Sequence, residues 1–182
     1  MDRYPIRVTL LANAGVLIRY RDTALLLDGL FGRKDNPFSL LPPGCREAML
    51  RGEPPFERLD YLLFTHYHPD HFDPEMVRAL LEHRRVKGLF YPKDEAPAVQ
   101  NLSRWLQQEG IPCVPLCRGT DRAAIQIEPG ISVQAFMVPH LGEEYRSVPH
   151  VCYLLSFDGR QVLFTADSDY LHEDFSRLAG TP

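Results

Sequence analysis

An α/β fold, with layers of helices outside two β-rich halves, is predicted by the order in which strand and helix patterns occur. Short apolar runs separated by turn residues open the chain, two amphipathic helix patterns occupy its middle, and further strand patterns follow. Blocks of this kind are typical of domains in which helices pack on sheets. A length of 182 residues allows a sizeable core, so we interpret residues 1–182 as a single domain.

The first half of the chain combines a strand meander with two helices. Asp73 and Pro74 predict a helix start, because Asp is a favoured N-cap and Pro fits the first helical turn. Val77, Leu80 and Leu81 then recur at helical spacing and give this helix one buried face. The other elements predicted in this half are strands at residues 6–11, 16–20, 24–28, 61–65, 88–91 and 113–116, and a helix over residues 95–109.

The second half is predicted to be mostly β-structure. Asp158 and Gly159 are a strong signal for a two-residue hairpin, because they separate two apolar runs. A last helix is predicted to begin near His172. The strands expected in this half cover residues 124–127, 131–138, 151–157 and 161–165.

Residues 32–58 differ in character from the rest and form a proline-rich insertion. The prolines of this segment are Pro37, Pro42, Pro43, Pro54 and Pro55. A short helix fits only around residues 46–51. Long irregular segments in compact domains are usually functional or mobile. We interpret the insertion either as a lid over a site or as a surface excursion without a role.

Composition and charge restrict the classes of function. The net charge is −4 with His neutral, and no basic face is evident, so nucleic-acid binding is not favoured. The N-terminus does not have the pattern of a signal peptide, and the longest apolar runs are too short to cross a bilayer. We therefore expect a cytoplasmic protein with a small-molecule substrate and no membrane partner. The oligomeric state is left open.

Four potential metal ligands, His66, His68, Asp70 and His71, occur within six residues. They directly follow the strand predicted at residues 61–65, and functional side chains are commonly placed where strands end. His66 and His68 are two residues apart, so on an extended chain both rings point to one side and can bind one divalent metal. Imidazole and carboxylate together suit zinc, and also iron or manganese. The alternative is a surface turn rich in histidine.

Two more polar residues stand where apolar strands end. His140 follows the strand predicted at residues 131–138, and Asp167 follows the strand at residues 161–165. Both are candidates for completing a two-metal site, in which a carboxylate such as Asp167 could bridge the metals. The alternatives are a loop histidine for His140 and an aspartate of a turn or a helix start for Asp167.

The six residues from His66 to His71 resemble the His-x-His-x-Asp-His motif of the metallo-β-lactamase superfamily. Residues 13–18 and 25–28 are similar to the opening strands of that family, and His140 and Asp167 follow in its order. The resemblance implies a four-layer αβ/βα sandwich with metals at one edge of the two sheets. The ligands it implies are His66, His68 and His140 for one metal, and Asp70, His71 and a bridging Asp167 for the other.

Two positions depart from the pattern of this family. Ala166 stands where the family usually has glycine before the bridging Asp167. The family also supplies one further His after another strand and helix, but only residues 168–182 follow here, and His172 is too close to Asp167 in sequence to take that place. We therefore expect either that the C-terminal end of the fold is missing or that the second metal has an incomplete set of ligands.

The mechanism that the resemblance implies is hydrolysis by a hydroxide that two metals, roughly 3.5–4 Å apart, hold and activate near neutral pH. Asp70 is then the catalytic residue that orients this nucleophile. Zinc is the expected metal, with iron or manganese as alternatives. Phosphodiester and lactone substrates are favoured, while thioesters and β-lactams stay open. Tyr67, Tyr145 and His150 are candidates for substrate binding, although packing or solvation also explains each of them.

Two other classes of function remain open. Some relatives use a di-iron centre for electron transfer, but they typically carry Glu at the position of His68 and are joined to a flavin domain. The other class is a binding or regulatory protein that keeps the fold without turnover. The missing last His favours this class, while the presence of every earlier ligand argues against it. Turnover with added metal separates the hydrolase from the regulatory protein.

Overall fold

The computed structural model of the chain describes residues 4–32, 38–117, 124–170 and 175. These residues belong to two compact units, Met1–Pro115 and Leu116–Pro182. Each unit contains one β-sheet, and the α-helices described over residues 45–108 are all in the first unit. The predicted α/β class with two sheets and helices is therefore confirmed. The interpretation of residues 1–182 as one domain stays a prediction.

The first unit is built on a six-stranded sheet whose strands follow one another in chain order. Its first three strands pair antiparallel as the predicted meander, and the third, fourth and fifth pair parallel. The strands are β1 (Arg7–Ala12), β2 (Gly15–Tyr20), β3 (Thr23–Leu27), β4 (Tyr61–Leu63), β5 (Gly88–Pro92) and β6 (Cys113–Leu116). Every residue of β3, β4 and β5 is buried, as is usual for central parallel strands.

Parallel pairing of β3 with β4 determines where the site residues lie. Leu27 pairs with Leu63, so the residues that follow these two strands leave the sheet at the same edge. The backbone N–H of Asp28, the residue after β3, donates to the carbonyl of Leu63 at 3.0 Å. Asp28 therefore lies beside the segment that runs from β4 into residues 66–71, which we call the histidine cluster.

Three helices pack on one face of this sheet: α1 (Cys45–Arg51), α2 (Pro74–His83) and α3 (Pro97–Gln108). The α2 start is as predicted, since the Asp73 side chain accepts from the backbone N–H of Glu75 at 3.0 Å. Helix α3 begins two residues later than predicted, because Asp94 accepts the N–H of Ala96 and closes a turn first. The buried helix residues include Met49, Met76, Val77, Leu80, Val99, Leu102 and Leu106. None of the helices in the described part of the chain is long and apolar enough to cross a membrane.

The described part of the insertion, from residue 38 onward, is fixed to the body of the first unit at its C-terminal end. Met49 of α1 and Phe56 are buried in the core. The guanidinium of Arg84, just after α2, donates to the carbonyls of Met49 (2.9 Å), Phe56 (2.6 Å) and Glu57 (2.9 Å). The short helix predicted in this segment is confirmed as α1, and the lid role stays a prediction.

The second unit is a four-stranded antiparallel sheet in the order β10-β9-β8-β7. Asp158 and Gly159 form the predicted hairpin, and both have positive φ (48° and 78°), as a two-residue turn of this type requires. A single 3₁₀ turn at Glu143–Tyr145 lies between β8 and β9. The helix predicted near His172 falls outside the described residues. The strands are β7 (Ile125–Glu128), β8 (Ile131–Met137), β9 (Val151–Phe157) and β10 (Arg160–Phe164).

The three bonds from Arg84 predict a large loss of stability when its guanidinium is removed. We expect Arg84→Ala to lower the free energy of unfolding by about 2–3 kcal/mol, because hydrogen bonds from charged donors are stronger than neutral ones. Arg85→Ala is the matched control, since Arg85 is an exposed neighbour of the same type, and should change stability by less than about 0.5 kcal/mol. Urea unfolding measures both, and equal stability of the two variants would contradict this role.

The backbone conformation of Ala166 predicts that replacing this residue with glycine raises the free energy of unfolding. Its φ is 44°, a left-handed conformation that costs a residue with a Cβ about 1–2 kcal/mol. Glycine removes this cost but adds about 0.4–1 kcal/mol of unfolded-chain entropy. Ala166→Gly should therefore raise the free energy of unfolding by about 0.5–1 kcal/mol, measured by thermal and urea unfolding. A variant less stable than the parent chain would show that the turn holds no strain.

Candidate metal centre

The carboxylate of Asp28 is fully buried and lies at the centre of a hydrogen-bond network in the first unit. Its Oδ1 accepts the backbone N–H of Thr65 at 2.8 Å, and its Oδ2 accepts the Thr65 hydroxyl at 2.5 Å. The same Oδ2 is 2.8 Å from Nδ1 of His71. A buried carboxylate is costly unless it is fully hydrogen-bonded, and these three donors meet that need. Asp28 therefore connects the end of β3 to both ends of the histidine cluster.

The Thr65 hydroxyl determines which nitrogen of His66 carries the proton. This hydroxyl has one hydrogen, which it donates to Asp28, so it accepts from Nδ1 of His66 at 2.9 Å. Nε2 of the fully buried His66 is then left with a lone pair. That Nε2 is 3.0 Å from Nδ1 of His68. The two rings, predicted to point to one side, are brought together by the structure.

Asp70 and His71 form a second pair. His71 donates its Nδ1 proton to Asp28, so Nε2 is the ring nitrogen that can bind a metal ion. This nitrogen is 3.4 Å from Oδ2 of Asp70. Both side chains are buried, with Asp70 4% and His71 1% exposed. A ring nitrogen and a carboxylate oxygen thus face each other inside the protein.

The donor atoms of these pairs fit a divalent metal. Two nitrogens bound to one tetrahedral zinc at about 2.0–2.1 Å lie about 3.3 Å apart, close to the separations of the two pairs. Asp28, His66 and His71 offer a further set of atoms within 4.8 Å of one another. Because its oxygens already accept three hydrogen bonds, we assign Asp28 the role of orienting the rings, a common arrangement behind metal-bound His.

The Asp70 carboxyl is held in its ionised form by its surroundings. Burial alone raises the pKa of this carboxyl, but the hydrogen bond and positive charge of His71 and a hydrogen bond from Asn13 outweigh burial. The pKa of Asp70 therefore lies below its ordinary value. The Asn13 amide is 2.7 Å from Oδ2 of Asp70.

His140 and Asp167 lie close together in the second unit. His140 forms a bridge with Ser168, and the N–H of Leu141 donates to the carbonyl of Asp167 at 2.8 Å. Nδ1 of His140 donates to the carbonyl of Leu141 at 2.7 Å, so its Nε2 keeps the lone pair. This Nε2 is 3.8 Å from Oδ2 of Asp167. The two candidate ligands of this unit thus face each other in the same way as the pairs of the first unit.

The candidates for substrate binding occupy different environments. Tyr67 packs edge-on against Phe72, with ring centroids 6.0 Å apart, at the border of the core. Tyr145, which is 42% exposed, lies beside His140 with centroids 5.1 Å apart. His150 is buried, and its ring centroid is 5.6 Å from that of His140. A role of any of the three in substrate binding stays a prediction.

Asp28, Thr65 and Asn13 contact the candidate ligands but were not assigned to the site from the sequence. Asp28 and Thr65 are the residues that end the predicted strands at 24–28 and 61–65. A polar residue at the end of an apolar strand was the signal used for His140, and the same signal points to Asp28. For Asn13 the sequence indicates only a turn, because its hydrogen-bond partner Asp70 is 57 residues away.

Residues 24–182 match the family model described as the beta-lactamase superfamily domain. Among solved structures, the chain is similar to CmlA, a diiron beta-hydroxylase from Streptomyces venezuelae, with 23% identity over 98% of this chain and 33% of that one (TM-score 0.62). The metallo hydrolase Igni18 from Ignicoccus hospitalis is 16% identical over 92% of this chain and 63% of its own (0.59). Human tRNase Z, short form, is 14% identical over 98% and 71% (0.55).

These structures share the fold of the chain, and no curated protein matches its sequence. The chain spans about a third of CmlA and under two thirds of Igni18. The family model, by contrast, covers most of the chain and begins within β3, before Asp28 and the histidine cluster. Together with the two sheets and the His-x-His-x-Asp-His segment, this match shows that the chain belongs to the beta-lactamase superfamily.

Proposed function

We propose that the chain is a metallo-hydrolase that binds two divalent metal ions through its histidine and aspartate side chains. The observation that carries the proposal is the close approach of potential ligand atoms in three buried or half-buried pairs: His66 with His68 (3.0 Å), Asp70 with His71 (3.4 Å), and His140 with Asp167 (3.8 Å). When bound, such ions supply an activated water near neutral pH and polarise the substrate oxygen. The protein's part is to hold the ligands ready for them.

The ligand assignment follows the motif of the family together with the pairs within each unit. We assign His66 and His68 to one ion with His140, and Asp70 and His71 to the other. Asp167 is assigned to both ions. The pairs within the first unit support the two halves of this scheme, and the contact of His140 with Asp167 supports placing these two on neighbouring ions.

Zinc is the proposed metal, and iron or manganese are the alternatives. Neutral imidazole nitrogens and carboxylate oxygens bind all three. His68 provides a nitrogen at the position where a di-iron electron-transfer centre typically has a carboxylate, which favours zinc. The diiron hydroxylase among the structural relatives is the reason to test iron beside zinc. Cytoplasmic location and the lack of membrane and nucleic-acid partners stay predictions.

Asp70 is the proposed catalytic residue. Its low pKa keeps the carboxylate ionised at neutral pH, so it accepts a hydrogen bond from the attacking water and sets its orientation. Its near-complete burial keeps bulk water away from this hydrogen bond.

The substrate that we propose is a lactone or another neutral ester, ahead of a phosphodiester. The cation nearest to His140 in sequence within the second unit is Arg146. Its guanidinium is 2.8 Å from Asp169 and 3.3 Å from Glu143. Because both carboxylates neutralise it, Arg146 adds little attraction for an anionic substrate.

Metal-dependent turnover is the test of the proposed function. We expect the zinc-loaded chain to hydrolyse a lactone faster than a phosphodiester, and chelation to reduce turnover to the uncatalysed rate. His66→Ala/His68→Ala should lose the same activity. His83→Ala is the control, because His83 is exposed on α2 and bonds only to its own helix in the contacts described (Ala79 carbonyl, 2.8 Å).

Thermal unfolding of each variant separates loss of the site from loss of the fold. Turnover that survives chelation, or that is equal in the double variant and in His83→Ala, contradicts the proposal. Iron-dependent oxidation of a substrate without hydrolysis would favour the redox alternative instead.

Asp28→Asn tests whether the buried carboxylate orients the ligands. An amide accepts on one atom only, so either the backbone N–H of Thr65 at Oδ1, or the Thr65 hydroxyl and His71 at Oδ2, would face an NH2 group instead of an acceptor. We expect zinc affinity to fall by about 10–100-fold, as is common when the partner of a metal-bound His is changed. Asp60→Asn is the control, because Asp60 is also buried at a strand end but accepts from Ala24 (2.9 Å) and Lys87 (3.3 Å). Competition with a chelator measures both, and equal affinities would contradict the role.

A further inference from the structure

The turn between β1 and β2 reaches the candidate metal centre. Asn13 lies in this turn with a φ of 49°, a left-handed conformation that asparagine tolerates better than most residues. Its side-chain amide donates to Oδ2 of Asp70 at 2.7 Å and is 3.4 Å from the Asp70 carbonyl. The exposed Asn13 therefore touches a carboxylate that is only 4% exposed.

A second contact fixes this turn against the end of β3. Gly15 packs so closely that an added Cβ would lie 3.1 Å from the Ala12 carbonyl, 3.2 Å from the Asp28 carbonyl and 3.3 Å from Cα of Gly29. The backbone of the turn thus packs against Asp28, the residue that orients His71. The Asn13 side chain of the same turn holds Asp70. One hairpin turn contacts both members of the Asp70–His71 pair, one directly and one through Asp28.

We infer that Asn13 is a positioning residue that holds Asp70 in place as a ligand of one metal ion. This inference rests on the proposed function. Asp70 Oδ2 has two neighbours, the Asn13 amide and Nε2 of His71. The amide N–H fixes the rotation of the carboxylate, so that Oδ2 stays directed at His71 in the metal-free chain. A carboxylate held in advance loses less conformational freedom when the ion binds, which raises affinity.

The effect is specific for one of the two ions. His66 and His68 are oriented through Thr65 and share no described hydrogen bond with Asn13. Loss of the Asn13 amide should therefore weaken the ion bound by Asp70 and His71 and spare the other.

Asn13→Gly is the variant that isolates the amide, because glycine keeps the left-handed turn and removes only the side chain. Asp158→Gly is its matched control, since Asp158 has a φ of 48° in the β9–β10 hairpin. Asp70→Asn is included because it identifies which binding step of the titration depends on Asp70. The metal-free forms of these three variants and of the parent chain are titrated with Co²⁺, followed by visible absorption and by competition with a chelator, with thermal unfolding measured in parallel.

We expect the parent chain to bind two ions and Asn13→Gly to bind one of them about 10-fold more weakly or worse, in the step that Asp70→Asn also changes. Asp158→Gly should bind both as the parent does. Parent affinity for both ions in Asn13→Gly would overturn the inference and leave the proposed function standing. Equal weakening of both ions would also overturn it, as a general effect of the turn. Fewer than two ions in the parent chain would overturn the proposed function and the inference together.

Discussion

The buried carboxylate of Asp28 is the interaction on which the candidate centre depends. It accepts from Thr65 and His71, and through Thr65 it determines the protonated nitrogen of His66. One carboxylate thus leaves Nε2 of both His66 and His71 available as ligand atoms. Burying this charge is unfavourable in itself, and the cost is offset only because every donor is in place. The orientation of His66 and His71 therefore depends on the contacts that the fold makes around Asp28.

The sheet explains why these donors meet. Asp28 and Thr65 are 37 residues apart in sequence, yet parallel pairing of β3 with β4 places them at one sheet edge. The left-handed φ of Asp28 (44°) ends β3 abruptly and turns its side chain into the protein. In the second unit the orientation of the histidine depends on a nearer contact, because His140 is oriented by the carbonyl of Leu141, the next residue in the chain. Ligand orientation is thus non-local in the first unit and local in the second.

The sequence predicts most of the elements because their signals are local. The N-cap of α2 and the hairpin at Asp158 each lie within a few neighbouring residues, and both are found as expected. The six-residue ligand cluster is equally local, and the structure brings its side chains together in pairs. The roles of Asp28 and Asn13 could not be predicted in this way, since their partners at His71 and Asp70 are 43 and 57 residues away. The protonated nitrogen of each ring also depends on such distant partners. The grouping of ligands across the two units rests on the family motif alone.

The most direct measurement is a crystal structure of the zinc-loaded chain with anomalous diffraction recorded on both sides of the zinc absorption edge. We expect two zinc peaks, one bound by Nε2 of His66 and Nδ1 of His68, the other by Oδ2 of Asp70 and Nε2 of His71. Asp28 should remain hydrogen-bonded to Thr65 and His71 and bind neither ion. Zinc bound directly by Asp28, or no zinc peak at the histidine cluster, would contradict the account.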